Sequence, residues 1–255
     1  MFAPCLPAWY NKHKYIKEGL PIATFVIADI HGEYDKFMEM LKKIRLSDQD
    51  TLYILGDVVD RGPHPVRVLR KLMEMPNVVP IVGNHELMAM QCLSFLREEI
   101  TEHSAAGFGR DKLRLLAGWI QNGADPTMKE FRALDREMQS EVLDFLDEFL
   151  AYAEITAGGR KYLLVHAGLG NFRPEKRMEE YSLDELVWER PDYGLRYFEN
   201  MEVVSGHTPT QLIEGNPRPG YIFRENGHVA IDCGACFRGG RLACICLETG
   251  EEFYV

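Results

Sequence analysis

The stretch Leu55-Gly56-Asp57-Val58-Val59-Asp60-Arg61-Gly62 follows an apolar run, Thr51 to Leu55, and sets two carboxylates and a guanidinium close together. Unpaired charges are costly to bury. Such a loop is poor core material, but it suits a cation held beside a phosphate. Three further places have the same form. They are Ala28-Asp29-Ile30-His31-Gly32, Val82-Gly83-Asn84-His85-Glu86, and the separated histidines of Val165-His166-Ala167-Gly168 and Ser205-Gly206-His207-Thr208-Pro209. Asp, Asn and His form a mixed oxygen and nitrogen ligand set suited to manganese, iron or zinc, and less to calcium. Two aspartates, an asparagine and three histidines besides His85 exceed the needs of one mononuclear site. They suit two ions sharing a bridging carboxylate. A pair of divalent ions roughly 3.5–4 Å apart fits phosphoryl transfer, one acidifying a bound water and both clamping the displacement. With Arg61 added, the cations outweigh the aspartates and favour a phosphate dianion.

The elements that must position these residues follow from periodicity. Ile22 to Ala28, Thr51 to Leu55 and Val78 to Val82 read as strands. Between them Phe37, Met40, Leu41 and Ile44, then Val66, Leu69, Leu72 and Met73, recur at amphipathic helix spacing. The result is β-α-β-α-β with the connection lengths of parallel crossovers, whose ligands gather at the carboxyl ends of the strands. Asp29, His31, Asp57, Asn84 and His85 all fall there. Leu87 to about Leu150 is helical in pattern and reads as an insertion or cap. Gly158-Gly159 marks a hairpin whose second run, ending at Val165, delivers His166. Ser182-Leu183-Asp184-Glu185 is a capping box, and Met201 to Ser205 is a strand delivering His207. Asn226-Gly227 joins Tyr221–Phe223 to His228–Ile231, and Arg241–Leu247 and Glu252–Val255 complete a half expected to be antiparallel. The expected fold class is α/β, two packed mixed β-sheets flanked by helices. The expected organisation is an N-terminal extension over residues 1–20 and one domain over 21–255, with about 87–150 as its helical insertion.

Composition excludes several classes. The chain has 255 residues, 46% hydrophobic and 27% charged, the balance of a globular protein rather than a disordered one. A net charge of -10 argues against a nucleic-acid polymer as partner, since phosphate contacts need clustered Lys and Arg. A bound metal can still reverse the local field for a small anion. No stretch approaches the roughly 18 apolar residues of a membrane span. Met1 to Trp9 is apolar but precedes the basic segment, the wrong order for a secretory signal. A cytoplasmic protein without a membrane partner is expected, and composition leaves its oligomeric state open. Cys233, Cys236, Cys244 and Cys246 could suggest zinc. The alternation of Cys244 and Cys246 within an apolar run favours buried reduced thiols.

The motifs D-x-H-G, G-D-x-x-D-R-G and G-N-H-E, followed by two isolated histidines, resemble the phosphoprotein-phosphatase family of calcineurin-like metallophosphoesterases. The resemblance extends from Ala28 to about Arg241 and is strongest to the compact bacterial and phage branch, the group of the bacteriophage lambda phosphatase. That branch shares the V-x-G-H-T-P pattern of Val204 to Pro209 and the I-D-x-G pattern of Ile231 to Gly234. The resemblance implies an αββα sandwich and two divalent ions, manganese first, with iron or zinc as alternatives. It implies that Asp29, His31 and Asp57 bind one ion, and that Asp57, Asn84, His166 and His207 bind the other. His85 would be the general acid, oriented by Asp60. Arg61 and Arg190 would hold the phosphate beside Asn84, with Arg196 a neighbour that could replace Arg190. Glu86 reads as loop support, Trp119, Trp188, Met88 and Met90 as packing, and His13, His64, His103 and His228 as surface or core residues.

The implied activity is that of a serine/threonine protein phosphatase, with tyrosine a further substrate. The alternative is symmetrical dinucleoside-tetraphosphate hydrolysis, or another small phosphorylated substrate on the same fold. In that sister branch the position of Asp60 is typically alanine and that of Glu86 typically aspartate, which favours the protein phosphatase. A non-catalytic module would be expected to lack a ligand, yet every ligand position is filled.

Overall fold

The computed structural model describes residues 22–96 and 109–255. The N-terminal extension, Cys5, His13 and His103 lie outside them. Strand β1 (Thr24–Ile27) pairs parallel with β2 (Thr51–Leu55), and β2 pairs parallel with β3 (Val78–Ile81). Helices α1 (Tyr34–Ile44) and α2 (Pro65–Met73) make the crossovers. Helix α1 buries Phe37, Met40 and Ile44 from one face. Helix α2 opens on Pro65, whose fixed φ suits a first helical position. The sheet is completed by β9 (Ala243–Cys246), antiparallel on β1, and β10 (Glu252–Tyr254) on β9.

Between β3 and β4 lie α3 (Asn84–Leu96), α4 (Arg110–Gln121), α5 (Asp125–Arg132) and α6 (Arg136–Asp147). They pack on the helix side of the first sheet, where Ile27, Leu52 and Ile54 meet Trp119, Phe131, Val142 and Leu146.

The second sheet has the order β4-β5-β6-β8-β7. Strands β4 (Tyr152–Ala157) and β5 (Arg160–Val165) form the hairpin, turning at Gly158 (φ 54°) and Gly159 (φ 76°). One expectation fails in this half. β5 pairs parallel with β6 (Met201–Ser205), and β6 parallel with β8 (His228–Ala230); only β4 and β7 (Phe223–Glu225) run antiparallel to their neighbours. The chain from His166 to Asn200, with the short helix α7 (Leu183–Val187), is long enough to carry β6 back to the starting end. The sheets therefore share a polarity, and β5 and β6 release His166 and His207 toward the edge where β1, β2 and β3 release their loops. Between the sheets Val26, Leu55, Ile81 and Ile245 pack against Leu164, Val204 and Val229. This gives two mixed β-sheets flanked by helices.

Candidate metal centre

Five loops at the carboxyl ends of β1, β2, β3, β5 and β6 carry the candidate residues. Their backbone is held in an uncommon state. Asp29 (φ 52°), His31 (45°), Asp57 (52°), Asp60 (70°), Arg61 (65°) and His207 (62°) all sit in the left-handed region, which costs a residue with a side chain ~1–3 kcal/mol. Backbone bonds between the loops hold it. Asp29 N donates to Gly56 O (3.1 Å), His31 N to Asp57 O (2.8 Å) and Gly62 N to His31 O (3.0 Å). A Cβ on Gly62 would lie 2.0 Å from His31 O, and one on Gly56 2.5 Å from Gly83 N, so the loops approach closely enough to require glycine. Glu86, fully buried, accepts from the backbone N–H groups of Asp57 (2.7 Å), Val58 (2.8 Å), Val59 (3.1 Å) and Gly83 (3.0 Å). It holds the backbone of the loop and leaves Asp57 free to face inward.

Asp57 stands between two clusters. His31 Nε2 lies 3.5 Å from its Oδ2 and His166 Nε2 3.4 Å from its Oδ1. Asn84 Oδ1 lies 3.0 Å from both His166 Nε2 and His207 Nδ1. The tautomers follow from the far side of each ring. His31 Nδ1–H donates to Val59 O (2.9 Å) and His166 Nδ1–H to Leu55 O (2.6 Å), because a carbonyl can only accept. Each Nε2 therefore presents a lone pair to the aspartate. Burial pushes the His31 imidazole down to about 3, lowers His166, and with His166 brings His207 down to about 4, so all three are neutral at pH 7. Burial raises the Asp57 carboxyl, but the His166, His85, His31 and His207 imidazoles outweigh it and hold the group well below the ordinary range. A carboxylate, an amide oxygen and neutral imidazole nitrogens thus converge, a donor set that fits divalent cations. Among the described residues, the groups placed so that they could hold a cation are His31, Asp57 and His85, and Asp57, His166 and His207; Asp29 falls in neither.

Asp29 is buried nearby, and both its oxygens accept from His207 N–H (3.1 and 3.0 Å). Burial, then Asp232 and Asp57, hold its carboxyl well above the usual range. Asp232 was marked in sequence only within I-D-x-G. It is buried beside these carboxylates and is pushed up to about 7, chiefly by burial. Its signal was a lone aspartate leaving a strand.

His85 Nδ1–H donates to Asp60 Oδ2 (2.7 Å), with both side chains fully buried. Burial lowers the His85 imidazole, but Asp57 and the bond to Asp60 raise it, and the net shift is upward. Arg61 reaches over the centre, donating from Nη1 to His31 Nε2 (2.8 Å) and from Nη2 to His85 Nε2 (2.9 Å). Its backbone N–H is fixed by Gly123 O (2.9 Å) from the α4–α5 turn. Arg190 is exposed, and its charge reaches His207. Arg196 turns elsewhere, donating to the carbonyls of Phe198 (3.0 Å) and Glu199 (3.1 Å).

Two further contacts were not visible in sequence. Trp119 Nε1–H donates to Asp60 Oδ2 (2.7 Å) and Thr127 Oγ1–H to Asp60 Oδ1 (2.6 Å). Of the cysteines among the described residues, only Cys236 approaches the centre, its thiol meeting the Arg61 side chain. Cys244 and Cys246 are buried with the helix-side core, Cys233 is buried near Thr210, and Cys236 is half-buried. No helix among the described residues is long and apolar enough to cross a membrane.

Known proteins resemble this chain in sequence and in fold. It is 28% identical over 246 residues to the asymmetrical bis(5'-nucleosyl)-tetraphosphatase of Halalkalibacterium halodurans, covering 86% of this chain and 87% of that one. It is 31% identical over 150 residues to the symmetrical bis(5'-nucleosyl)-tetraphosphatase of Acidovorax ebreus, a match spanning 58% of this chain and 44% of that relative. The fold resembles that of a candidate diadenosine tetraphosphatase (TM-score 0.62, 18% identity, covering 92% of this chain and 94% of that one). It also resembles a serine/threonine phosphatase from Saccharomyces cerevisiae (TM-score 0.55, 14% identity, 90% and 73%). The model for the calcineurin-like phosphoesterases matches residues 22–234. That span holds every strand end that releases a residue into the centre, from Asp29 to His207, and on that ground the chain belongs to the calcineurin-like phosphoesterase family.

Proposed function

We propose that the chain is a metal-dependent hydrolase of dinucleoside polyphosphates, cleaving a phosphoanhydride bond of the bridge. The observation that carries this reading is the similarity, over most of both chains, to the asymmetrical bis(5'-nucleosyl)-tetraphosphatase. It replaces the protein phosphatase as the leading function. Neither Asp60 nor Glu86 can tell one substrate from another. Both are fully buried, Asp60 behind His85 and Glu86 behind the backbone of residues 57–59. They support the machinery and do not face the leaving group.

In this reading residues 21–255 are the catalytic domain and the helices within 87–150 its insertion. Asp29, His31 and Asp57 would hold one divalent ion, and Asp57, Asn84, His166 and His207 the other, with manganese the expected ion and iron or zinc the alternatives. When bound, such ions supply Lewis acidity, acidifying water and offsetting the charge of the polyphosphate. Val59 O and Leu55 O keep the lone pairs of His31 and His166 aimed inward. Arg61 offers a planar, bidentate fork to phosphoryl oxygens, and Arg190 stands at the His207 side to take an outer phosphate. His85, its Nδ1–H retained by Asp60, would take up a proton at Nε2 once Arg61, which donates to that nitrogen here, turns to the phosphate, and would pass it to the departing phosphate oxygen.

A side-by-side assay of the manganese-loaded protein on diadenosine tetraphosphate, a phosphoserine peptide and 4-nitrophenyl phosphate tests this. The dinucleotide should have the highest kcat/KM. A phosphopeptide preferred over it would restore the protein phosphatase.

A further inference from the structure

We infer that Trp119 and Thr127, both from the helical insertion, are positioning residues for the His85–Asp60 pair. The insertion would then be part of the machinery that protonates the leaving group. The inference rests on His85 being the acid of the proposed reaction.

Asp60 is fully buried, and the structure fills its carboxylate from three sides. Oδ2 accepts from His85 Nδ1–H (2.7 Å) and Trp119 Nε1–H (2.7 Å), while Oδ1 accepts from Thr127 Oγ1–H (2.6 Å). Thr127 Oγ1 also accepts from Asp60 N–H (2.9 Å). One hydroxyl therefore grips both the backbone and the side chain of the same residue. That residue needs a grip, because its φ of 70° is in the left-handed region.

A plainer reading is available for the indole alone. A buried tryptophan N–H usually finds a partner, and Asp60 could be no more than that. Thr127 does not fit the plainer reading. Its hydroxyl is fully buried and meets Asp60 twice, so its position is specified by Asp60 and not by general packing. Three donors on two oxygens fix the plane of the carboxylate. A fixed carboxylate fixes the imidazole bound to it, and with it the direction of Nε2. Arg61, which meets that Nε2, is seated by Gly123 between the same two helices. Hydrogen bonds to a charged group are the strong ones, so losing one of the three donors should loosen the pair.

Phenyl phosphate and 4-nitrophenyl phosphate differ in how much their leaving oxygen needs a proton, and neither depends on the natural substrate. General acid catalysis contributes ~10²–10⁴-fold. Thr127→Val and Trp119→Phe should each lower kcat on phenyl phosphate by ~10-fold while changing 4-nitrophenyl phosphate by less than ~2-fold. Manganese content should be unchanged, and Thr127→Ser should restore turnover. His85→Asn, run beside them, should show the same bias more strongly. If His85→Asn shows it and the folded Thr127→Val and Trp119→Phe proteins do not, the inference falls while the acid assignment stands. If His85→Asn slows both substrates equally with metal retained, the acid assignment and the inference fall together. Should Trp119→Phe fail to fold, the Thr127→Val and Thr127→Ser pair decides alone.

Discussion

Asp57 is the residue on which both halves of the centre depend. His31 and His85 approach its Oδ2, while His166 approaches Oδ1. A carboxylate so placed can serve two ions, whereas His31 or His207 can serve one. Asp57→Asn should therefore lose metal at both positions, while His31→Ala loses it at one. Metal analysis of the purified variants checks this, and two ions retained in Asp57→Asn would contradict it. At this scale much of the site was legible. Acids and imidazoles next to glycine, directly after apolar runs, have few uses in a core, and that logic points to Asp57, His31, His85, His166 and His207, which the loops bring together. It missed what their backbone needed. The left-handed φ values of Asp57, Asp60 and Arg61 follow from packing against the neighbouring loops, which residue type does not report. Trp119 and Thr127 stayed hidden for a related reason. A tryptophan on an amphipathic helix reads as packing, and its one N–H meets a partner 59 residues away.

The elements hold the centre through contacts made at their ends. Helix α2 has no side-chain cap of its own. Glu130 of α5 supplies one from across the interface, accepting from Val66 N (2.9 Å) and Arg67 N (3.3 Å), with His64 Nδ1 at 3.1 Å. Loss of a capping group costs ~1 kcal/mol, so Glu130→Ala should lower the melting temperature by roughly 2–4 °C. An unchanged melt would show that α5 does not brace α2. Helix α7 braces the other side, where Leu186 O accepts from Ala167 N (3.0 Å), next to His166. Its capping residue Glu185 is held down to about 2 by Lys176 (2.7 Å), with Asn171 and Ser182 assisting. A carboxyl lowered on folding stabilises fully above its unfolded value of ~4.3 and progressively less as pH falls toward its folded value. The melting difference between the protein and Glu185→Gln should therefore be largest near neutral pH and shrink between about 4.3 and about 2. A difference constant with pH would remove the ionised Glu185 from this role. The capping box was legible because its spacing is local. The parallel pairing of β5 with β6 was not, because no strong periodicity in residues 166–200 announces a crossover.

At the scale of the molecule, two sheets of shared polarity put five loops at one edge, and α4 and α5 reach that edge through contacts with Arg61 and Asp60. The two halves of the sandwich are held together between the sheets by apolar residues, which leaves the loops at the rim able to carry the polar side chains of the centre. The layered fold was legible from alternating strand and helix periods; the reach of α4 and α5 to Asp60 and Arg61 was not, since it depends on tertiary contact. The reading as a dinucleoside polyphosphate hydrolase is tested most directly by the products formed from diadenosine tetraphosphate by the manganese-loaded protein, separated by anion-exchange chromatography. Rapid turnover to mononucleotides, ATP with AMP or ADP alone, is expected, abolished by chelation and restored by added metal. An intact dinucleotide, under conditions where the same metal-loaded preparation dephosphorylates a phosphoserine peptide, would contradict it.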